Sequence, residues 1–271
     1  MSYYSQMFTH VKTDRSDGIL WLTLANQEQS NAISTEMIDS LTNLLRHADF
    51  DPDVKVIVIT GEGATFCAGG DIKAMENKTG MFAGQSNELR MRYMHGIQQI
   101  PKAIEDLSKP IIAMVNGAAI GAGCDLAMMC DIRIGCSKAK FGETFVKLGL
   151  VPGDGGTFFL QRVVGYSKAM QMSLTGDIIA GEEAYKWGLL NYYVAEDQLL
   201  NETKKLAEKI SHNAPVAVQM TKKAMKIAYL SDLNTVLDLS AAYQGITQRT
   251  EDHFKALEGM KNKTTPEFTG K

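Results

Sequence analysis

Residues 110–131 read PIIAMVNGAAIGAGCDLAMMCD, and this stretch decides the fold that we predict. Its first part, Pro110 to Val115, is a short apolar run of the kind found in buried strands. Asn116 to Gly123 is small and glycine-rich, and Cys124 to Cys130 is helix-forming. This stretch therefore predicts a buried strand that runs into a glycine-rich loop and then into a helix.

The same order occurs earlier, at residues 54–75, which read VKVIVITGEGATFCAGGDIKAM. Val54 to Thr60 is a β-branched run that predicts a central strand, and helix-forming sequence resumes at Asp71. Further strands are predicted at 18–24 and 131–136, and further helices after Ser34 and at 199–211, 215–229, 231–246 and 251–260. We therefore predict an α/β fold with a mixed core over residues 1–200 and an all-helical region over residues 201–271.

Composition excludes several classes of function. The 271 residues carry a formal net charge of −3 without a basic cluster, so we expect no binding to nucleic acid. No segment approaches the roughly 20 apolar residues that cross a bilayer, so we expect no membrane partner. The four cysteines lack metal-binding spacing, so no metal is expected. The polar N-terminal segment lacks a secretory or transit pattern, which predicts a cytoplasmic location.

The two glycine-rich loops are the first candidates for chemistry. The first N–H groups of a helix have no partner within the helix and can point at negative charge, and glycine lets a ligand approach closely. One N–H from each loop would make an oxyanion hole. The alternative is that each loop is only a tight connection between strand and helix. Nucleotide binding is poorly supported, because neither loop has a complete phosphate-binding motif.

Eight segments together point to one family. They are NAI (31–33), FCAGGDIK (66–73), NGAAIGAGCDLAMMCD (116–131), FG (141–142), GLVPGDGGT (149–157), LTGD (174–177), AYKWGL (184–189) and residues 263–270. These segments resemble the enoyl-CoA hydratase/isomerase (crotonase) superfamily, and the resemblance covers nearly the whole chain.

The resemblance implies a spiral core of ββα units and a C-terminal helical region that forms a homotrimer or a dimer of trimers. It also implies an acyl-CoA thioester substrate and no separate cofactor. In this family two backbone N–H groups hold the thioester oxygen, and these fall on Gly70 and Ala122. Negative charge develops on that oxygen in an enolate-like intermediate, where such donors stabilise it.

The acid and base groups depart from the hydratase pattern. The resemblance places the two hydratase glutamates at Asp125 and Phe145, and a phenyl ring cannot transfer a proton. Glu143 is a possible substitute, and Asp154 resembles the aspartate of dienoyl-CoA isomerases and the nucleophilic aspartate of aryl-CoA dehalogenases. For each carboxyl a structural alternative stays open: a helix cap for Asp125, a turn residue for Asp154, and a solvated or structural group for Glu143.

We therefore predict an enzyme that isomerises a double bond by carboxylate proton transfer on a bound thioester. The alternatives are a hydratase, a non-catalytic acyl-CoA binder, and a helical adaptor formed by the C-terminal region. Phe145 favours the binder, and it would also suit a bulky or aromatic acyl group. Predicted substrate contacts are Ala68, Asp71, Ile72, Lys73, Gly121 and Phe145, with Lys73 either at a coenzyme A phosphate or in solvent.

Overall fold

A computed structural model describes residues 3–271 of the chain. The large sheet has six strands in the order β1-β2-β3-β5-β7-β10, at Val11–Ser16, Ile19–Leu24, Val56–Gly61, Ile111–Val115, Ile132–Gly135 and Tyr192–Tyr193. The small sheet has the order β4-β6-β8-β9, at Thr65–Cys67, Ala118–Ile120, Lys140–Gly142 and Ile178–Ala180. Apart from the antiparallel pairs β1–β2 and β8–β9, neighbouring strands are parallel.

The helices are α1 Thr35–Phe50, α2 Ile72–Glu76, α3 Ser86–His95, α4 Gln99–Asp106, α5 Ala122–Met129, α6 Gly156–Val164, α7 Tyr166–Thr175, α8 Gly181–Trp187, α9 Leu199–Ser211, α10 Pro215–Ala228, α11 Leu233–Thr247 and α12 Glu251–Asn262. Helix α1 begins as predicted, because the Ser34 hydroxyl accepts a hydrogen bond from the Met37 N–H at 3.1 Å. The predicted central strand is β3, whose six residues are all buried between β2 and β5.

A unit of two strands and a helix occurs three times along the chain. In the pairs β3/β4, β5/β6 and β7/β8, the first strand enters the large sheet and the second enters the small sheet. Helices α2, α5 and α6 follow these pairs, and a short 3-10 turn at Thr144–Leu148 precedes α6. Because β4, β6 and β8 are parallel neighbours, the loops that follow them emerge at one edge of the small sheet. The predicted α/β fold with ββα units is confirmed.

Both faces of the large sheet are covered. One face packs in the main core with α1, α4 and α5, and the other packs against α9 through Leu199 and Ala207. Helix α9 is helical as predicted, yet its contacts with β2, β3, β5 and β7 make it part of the sheet's core. The division of the chain at residue 200 stays a prediction. Among the C-terminal helices, α9 packs on the large sheet, and α10, α11 and α12 lie beyond it in the chain.

Polar groups fix helix α10 to the core and the C-terminal segment to α12. The Lys222 ammonium lies 2.7 Å from the Asp131 carboxylate and is largely buried. The Asp252 carboxylate, 1% exposed, accepts hydrogen bonds from the N–H groups of Thr269 at 2.9 Å and Gly270 at 2.7 Å. Across residues 3–271, no helix combines the length and apolar character that a bilayer crossing requires.

Candidate active site

The glycine-rich loops after β4 and β6 lie against each other. Gly69 has a φ of +91°, which favours glycine, and a Cβ there would lie 2.5 Å from the Ile120 carbonyl oxygen and 3.3 Å from the Ala122 nitrogen. Within residues 3–271, neither the Gly70 N–H nor the Ala122 N–H donates to a backbone carbonyl. The two predicted oxyanion donors therefore come from adjacent loops and are available to a ligand.

The second loop is held firmly. The Gly121 N–H donates to the Gly142 carbonyl at 2.8 Å, which ties this loop to the end of β8. Ala122 is the first residue of α5, where the helix dipole adds positive potential. The suggestion that Asp125 caps this helix is wrong, because Gly121 occupies the N-cap position and Asp125 is the fourth residue of α5.

Three carboxyl groups meet beside this helix. Asp125, Glu143 and Asp154 are 0%, 1% and 2% exposed, and Asp125 interacts with both of the others. Both oxygens of Asp125, both oxygens of Glu143 and Oδ1 of Asp154 are buried without a donor among residues 3–271. A hydrogen bond between these groups therefore requires that at least one carboxyl keeps its proton. The suggestion that Glu143 is solvated is wrong, since its side chain is enclosed.

Burial dominates the titration of the cluster. Burial and the charge of Glu143 raise the pKa of Asp125 well above its usual range, although its interaction with Asp154 acts in the opposite direction. Burial and the charge of Asp125 likewise raise the pKa of Asp154. Burial raises the pKa of Glu143, while a hydrogen bond with Asp125 acts in the opposite direction. At least one of the three groups can therefore keep a proton at a pH where an exposed carboxyl would have lost it.

Two aromatic rings border the cluster and the loops. The Phe145 ring faces Gly121, since a Cβ on that glycine would lie 3.7 Å from Cζ of the ring. The Tyr93 ring of α3 packs on Gly153, where a Cβ would lie 2.8 Å from Cε1 of the ring. The charge of Asp154 adds to burial in raising the pKa of Tyr93, so this phenol lies near the cluster.

The predicted substrate contacts on the first loop have mixed surroundings. Asp71 caps α2, because its carboxylate accepts from the Ala74 N–H at 3.0 Å. The Ala68 N–H is occupied by the Ser30 carbonyl at 3.1 Å. Ile72 is 55% exposed and Lys73 is also exposed, so both are open to a ligand at the mouth of the site.

A cavity of about 630 Å³ runs from these loops toward α3. Its apolar lining includes Ile72, Met75, Phe82, Leu89, Tyr93, Leu148 and Leu150. At its inner end, a Cβ on Gly70 would lie 2.5 Å from Cε of Met75 and 3.4 Å from Cζ of Phe82. The cavity therefore connects one of the two predicted oxyanion donors with Tyr93 beside Asp154.

Sequence reasoning missed Tyr93, because nothing in α3 marks one aromatic residue as part of a site formed with a loop 60 residues later in the chain. The methionines after Lys73 were the available signal for the cavity, and Met75 does line it. In the part of the chain that the structure describes, no group of three or more His, Cys, Asp or Glu side chains is placed to hold a metal ion.

Comparison with known proteins places the chain in context. The family model described as "Enoyl-CoA hydratase/isomerase" matches residues 14–271. A probable mitochondrial enoyl-CoA hydratase of Dictyostelium discoideum is 36% identical over 269 residues, which cover 99% of this chain and 94% of that protein. The 1,2-epoxyphenylacetyl-CoA isomerase of Escherichia coli is 33% identical over 254 residues, which cover 94% of this chain and 96% of that protein.

A solved structure shows the same architecture. The crystal structure of an enoyl-CoA hydratase from Bacillus anthracis superimposes with a TM-score of 0.91 at 30% sequence identity. The match covers 97% of this chain and 100% of that chain. The similarity therefore extends through both sheets and the C-terminal helices.

Proposed function

The chain belongs to the enoyl-CoA hydratase/isomerase family, and from this membership we propose that it is an enzyme that isomerises a double bond in an acyl-CoA thioester. The Gly70 and Ala122 N–H groups would hold the thioester oxygen, and Asp125 and Asp154 would move the proton. The observation that carries this proposal is the buried cluster of three adjoining carboxyls, two of which lie outside the hydratase glutamate positions. Coenzyme A enters as part of the substrate, and no separate cofactor is invoked.

The reaction follows from the electron flow that the site can support. Ionised Asp154 accepts a proton from an acyl carbon, and the C–H electron pair moves into a new C=C bond as charge shifts to the thioester oxygen. The two backbone N–H groups stabilise that oxygen, and each such donor typically contributes a factor of about 10² to 10³ in rate. Return of the proton to a different carbon completes the isomerisation and regenerates Asp154.

Phe145 is the reason to favour isomerisation over hydration. A hydratase needs groups that hold and activate a water, and at this position the chain presents a half-buried phenyl ring against Gly121. An apolar ring near the reacting carbons disfavours a bound water there. Hydration remains the second candidate because several relatives are named as hydratases, including the crotonyl-CoA hydratase of Syntrophomonas wolfei at 33% identity.

One assay separates these two reactions. Purified protein is incubated with crotonyl-CoA, and loss of the conjugated enoyl absorbance reports addition of water. We expect turnover at least about 10²-fold below that of an authentic hydratase measured in parallel, since one general acid–base group contributes about that factor. Turnover at the hydratase rate would overturn the preference for isomerisation.

A second assay tests whether the protein is a catalyst or only a binder. In heavy water we expect deuterium to enter the α-carbon of a saturated acyl-CoA, because the oxyanion hole acidifies that C–H bond. Asp154→Asn should slow uptake by about 10² to 10⁴, while Glu182→Asn, at an exposed site on α8, should leave it unchanged. Wild-type uptake no faster than that of Asp154→Asn would indicate a non-catalytic binder.

We also propose that the chain forms trimers through its helical C-terminal region. Large apolar side chains on α10–α12 are exposed, including Met225 at 70%, Leu233 at 71% and Met260 at 80%. Contiguous apolar surface on a soluble protein commonly marks an interface, and a second copy of this chain is the occupant we expect. Sedimentation equilibrium should give three or six times the chain mass of 29.7 kDa.

A further inference from the structure

The inner wall of the carboxyl cluster contains a group that the proposed reaction leaves without a task. Glu143 directly follows β8, and the Gly142 carbonyl before it accepts from the Gly121 N–H at 2.8 Å. This bond fixes the backbone of Glu143 to the loop that supplies the Ala122 N–H. The Glu143 carboxyl is 1% exposed, and neither of its oxygens has a donor among residues 3–271.

The order of the three carboxyls separates Glu143 from the substrate. Asp125 interacts with Glu143 on one side and with Asp154 on the other, and Asp154 is the member next to Tyr93, whose ring lines the cavity. Besides Asp125 and Asp154, the titratable group that faces Glu143 is the Cys124 thiol of α5. No cation faces the cluster among these groups, so three ionised carboxylates in contact would repel one another strongly.

We propose that Glu143 is a positioning residue that acts through Asp125 as the far end of a proton relay and does not touch the acyl group. The resting cluster carries two protons, on Asp125 and Asp154, and one negative charge on Glu143. The Asp125 proton moves to Glu143 while the Asp154 proton moves to Asp125. This leaves Asp154 ionised beside Tyr93, with the number of protons in the cluster unchanged.

The direction of the pKa shifts agrees with this resting state. Beyond burial, which raises the pKa of all three carboxyls, the hydrogen bond between Asp125 and Glu143 lowers the pKa of Glu143 and raises that of Asp125. The one between Asp125 and Asp154 raises the pKa of Asp154, so Glu143 loses its proton first. The relay rests on the proposed function, because it assumes that Asp154 exchanges a proton with the acyl carbon. It adds that the charge on Glu143 decides the pH at which Asp154 becomes an effective base.

The test is the pH profile of α-proton exchange on a saturated acyl-CoA in wild type and Glu143→Gln. The amide cannot accept the Asp125 proton, so Asp154 can become ionised only by losing its proton to solvent, and the acidic limb should move to higher pH by about one unit or more. The rate on the plateau should stay within about tenfold of wild type. Glu143→Asp, which restores a carboxyl, should return the limb toward the wild-type position.

Two results would overturn the relay. An unshifted limb in Glu143→Gln would assign Glu143 a purely structural role, and a loss as large as that of Asp154→Asn would make it a direct acid or base. Glu182→Gln on exposed α8 is the matched control.

Thermal unfolding measured against pH reports on the same Glu143 charge without substrate. If no acyl-CoA is turned over, a flatter fall of Tm at alkaline pH in Glu143→Gln still supports the charge on Glu143, and an unchanged fall contradicts it.

Discussion

The helices that follow the two glycine-rich loops differ in how deeply they are buried. All eight residues of α5 are buried, whereas none of the five residues of α2 is. Helix α5 carries Ala122 and Asp125, so one proposed N–H donor and one proposed acid–base group share a buried element. Helix α2 follows Gly70 and opens on the cavity through Ile72 and Met75. In the proposed reaction, one unit therefore holds reacting groups in a buried helix, and the other presents an exposed helix to the acyl group.

The largest effect on stability and exchange rate is expected from a substitution in α5 where this helix contacts β4. A Cβ on Gly123 would collide with the Cys67 carbonyl oxygen and lie 2.8 Å from the Cys67 Cβ. Gly123→Ala should therefore displace α5, with a loss of about 3 kcal/mol or more in unfolding free energy and about 10²-fold in exchange rate. Urea denaturation and the heavy-water assay measure the two effects.

Gly80→Ala, in the turn that follows α2, is the matched control. Its φ of +57° makes a side chain unfavourable, but no atom lies within 4 Å of the new Cβ. We expect a loss of about 1 kcal/mol and an unchanged exchange rate. Equal effects from the two glycine substitutions would remove the contrast between the two units.

Truncation of one apolar side chain in each unit should separate stability from substrate binding. Leu126 in α5 is 1% exposed, and Leu126→Ala should cost about 2–5 kcal/mol in unfolding free energy. Ile72 in α2 is 55% exposed, so Ile72→Ala should change stability by no more than about 0.5 kcal/mol. Ile72→Ala should instead raise KM for an eight-carbon acyl-CoA more than for a four-carbon one. A large loss of stability in Ile72→Ala would contradict an open α2.

The unit with the buried helix should also make stability depend on pH. Raised pKa values of Asp125 and Asp154 mean that the folded protein releases these protons at higher pH than the unfolded chain. Their stabilising contribution is complete below the unfolded values of about 4 and is lost as pH rises through the folded values. Asp125→Asn should lessen the fall in Tm toward alkaline pH by about 3 °C or more. A steeper fall would contradict the sign of these shifts.

The smallest effect is expected at the start of α2. Asp71→Ala removes the carboxylate that accepts from the Ala74 N–H, which should cost about 1 kcal/mol. Because α2 has only five residues and none is buried, the loss should appear as local fraying. Hydrogen exchange should accelerate in residues 72–76 and stay unchanged in α5. Faster exchange in α5 would show that the two units are coupled.

The long elements were predictable from the sequence, and the short strands were not. The β-branched run at 54–60 and the capped helix after Ser34 have enough residues to show their period. Strands β4, β6, β8 and β9 have three residues each, and β6 lies inside a stretch that composition marks as a glycine-rich loop. Their pairing comes from contacts distant in sequence, which a local pattern does not contain. Strand β1 was not predicted for a different reason. It is a polar edge strand, and after Val11 its residues alternate between exposed and partly buried.

The candidate site also has parts that were predictable from the sequence and parts that were not. The loop donors follow from the strand–glycine–helix pattern, and the family resemblance adds which residues supply them. The positions of Asp125 and Asp154 also follow from that resemblance. The contact between Glu143 and Asp125 depends on where β8 ends relative to α5, because Glu143 is the residue that follows β8. Tyr93 and the depth of the cavity depend on how α3 packs against residues 153–154, for which the sequence carries no local signal.

The repetition of the ββα unit has a consequence for how this enzyme could be redesigned. Each unit delivers one end of a short strand to the same edge of the small sheet, while its other strand stays in the large sheet. The residue after each short strand can therefore be exchanged with the neighbouring ones held in place. Grafting a different acid, base or nucleophile after β8 would alter the proposed reaction and keep, in the loops after β4 and β6, the two N–H donors that we propose for the thioester oxygen.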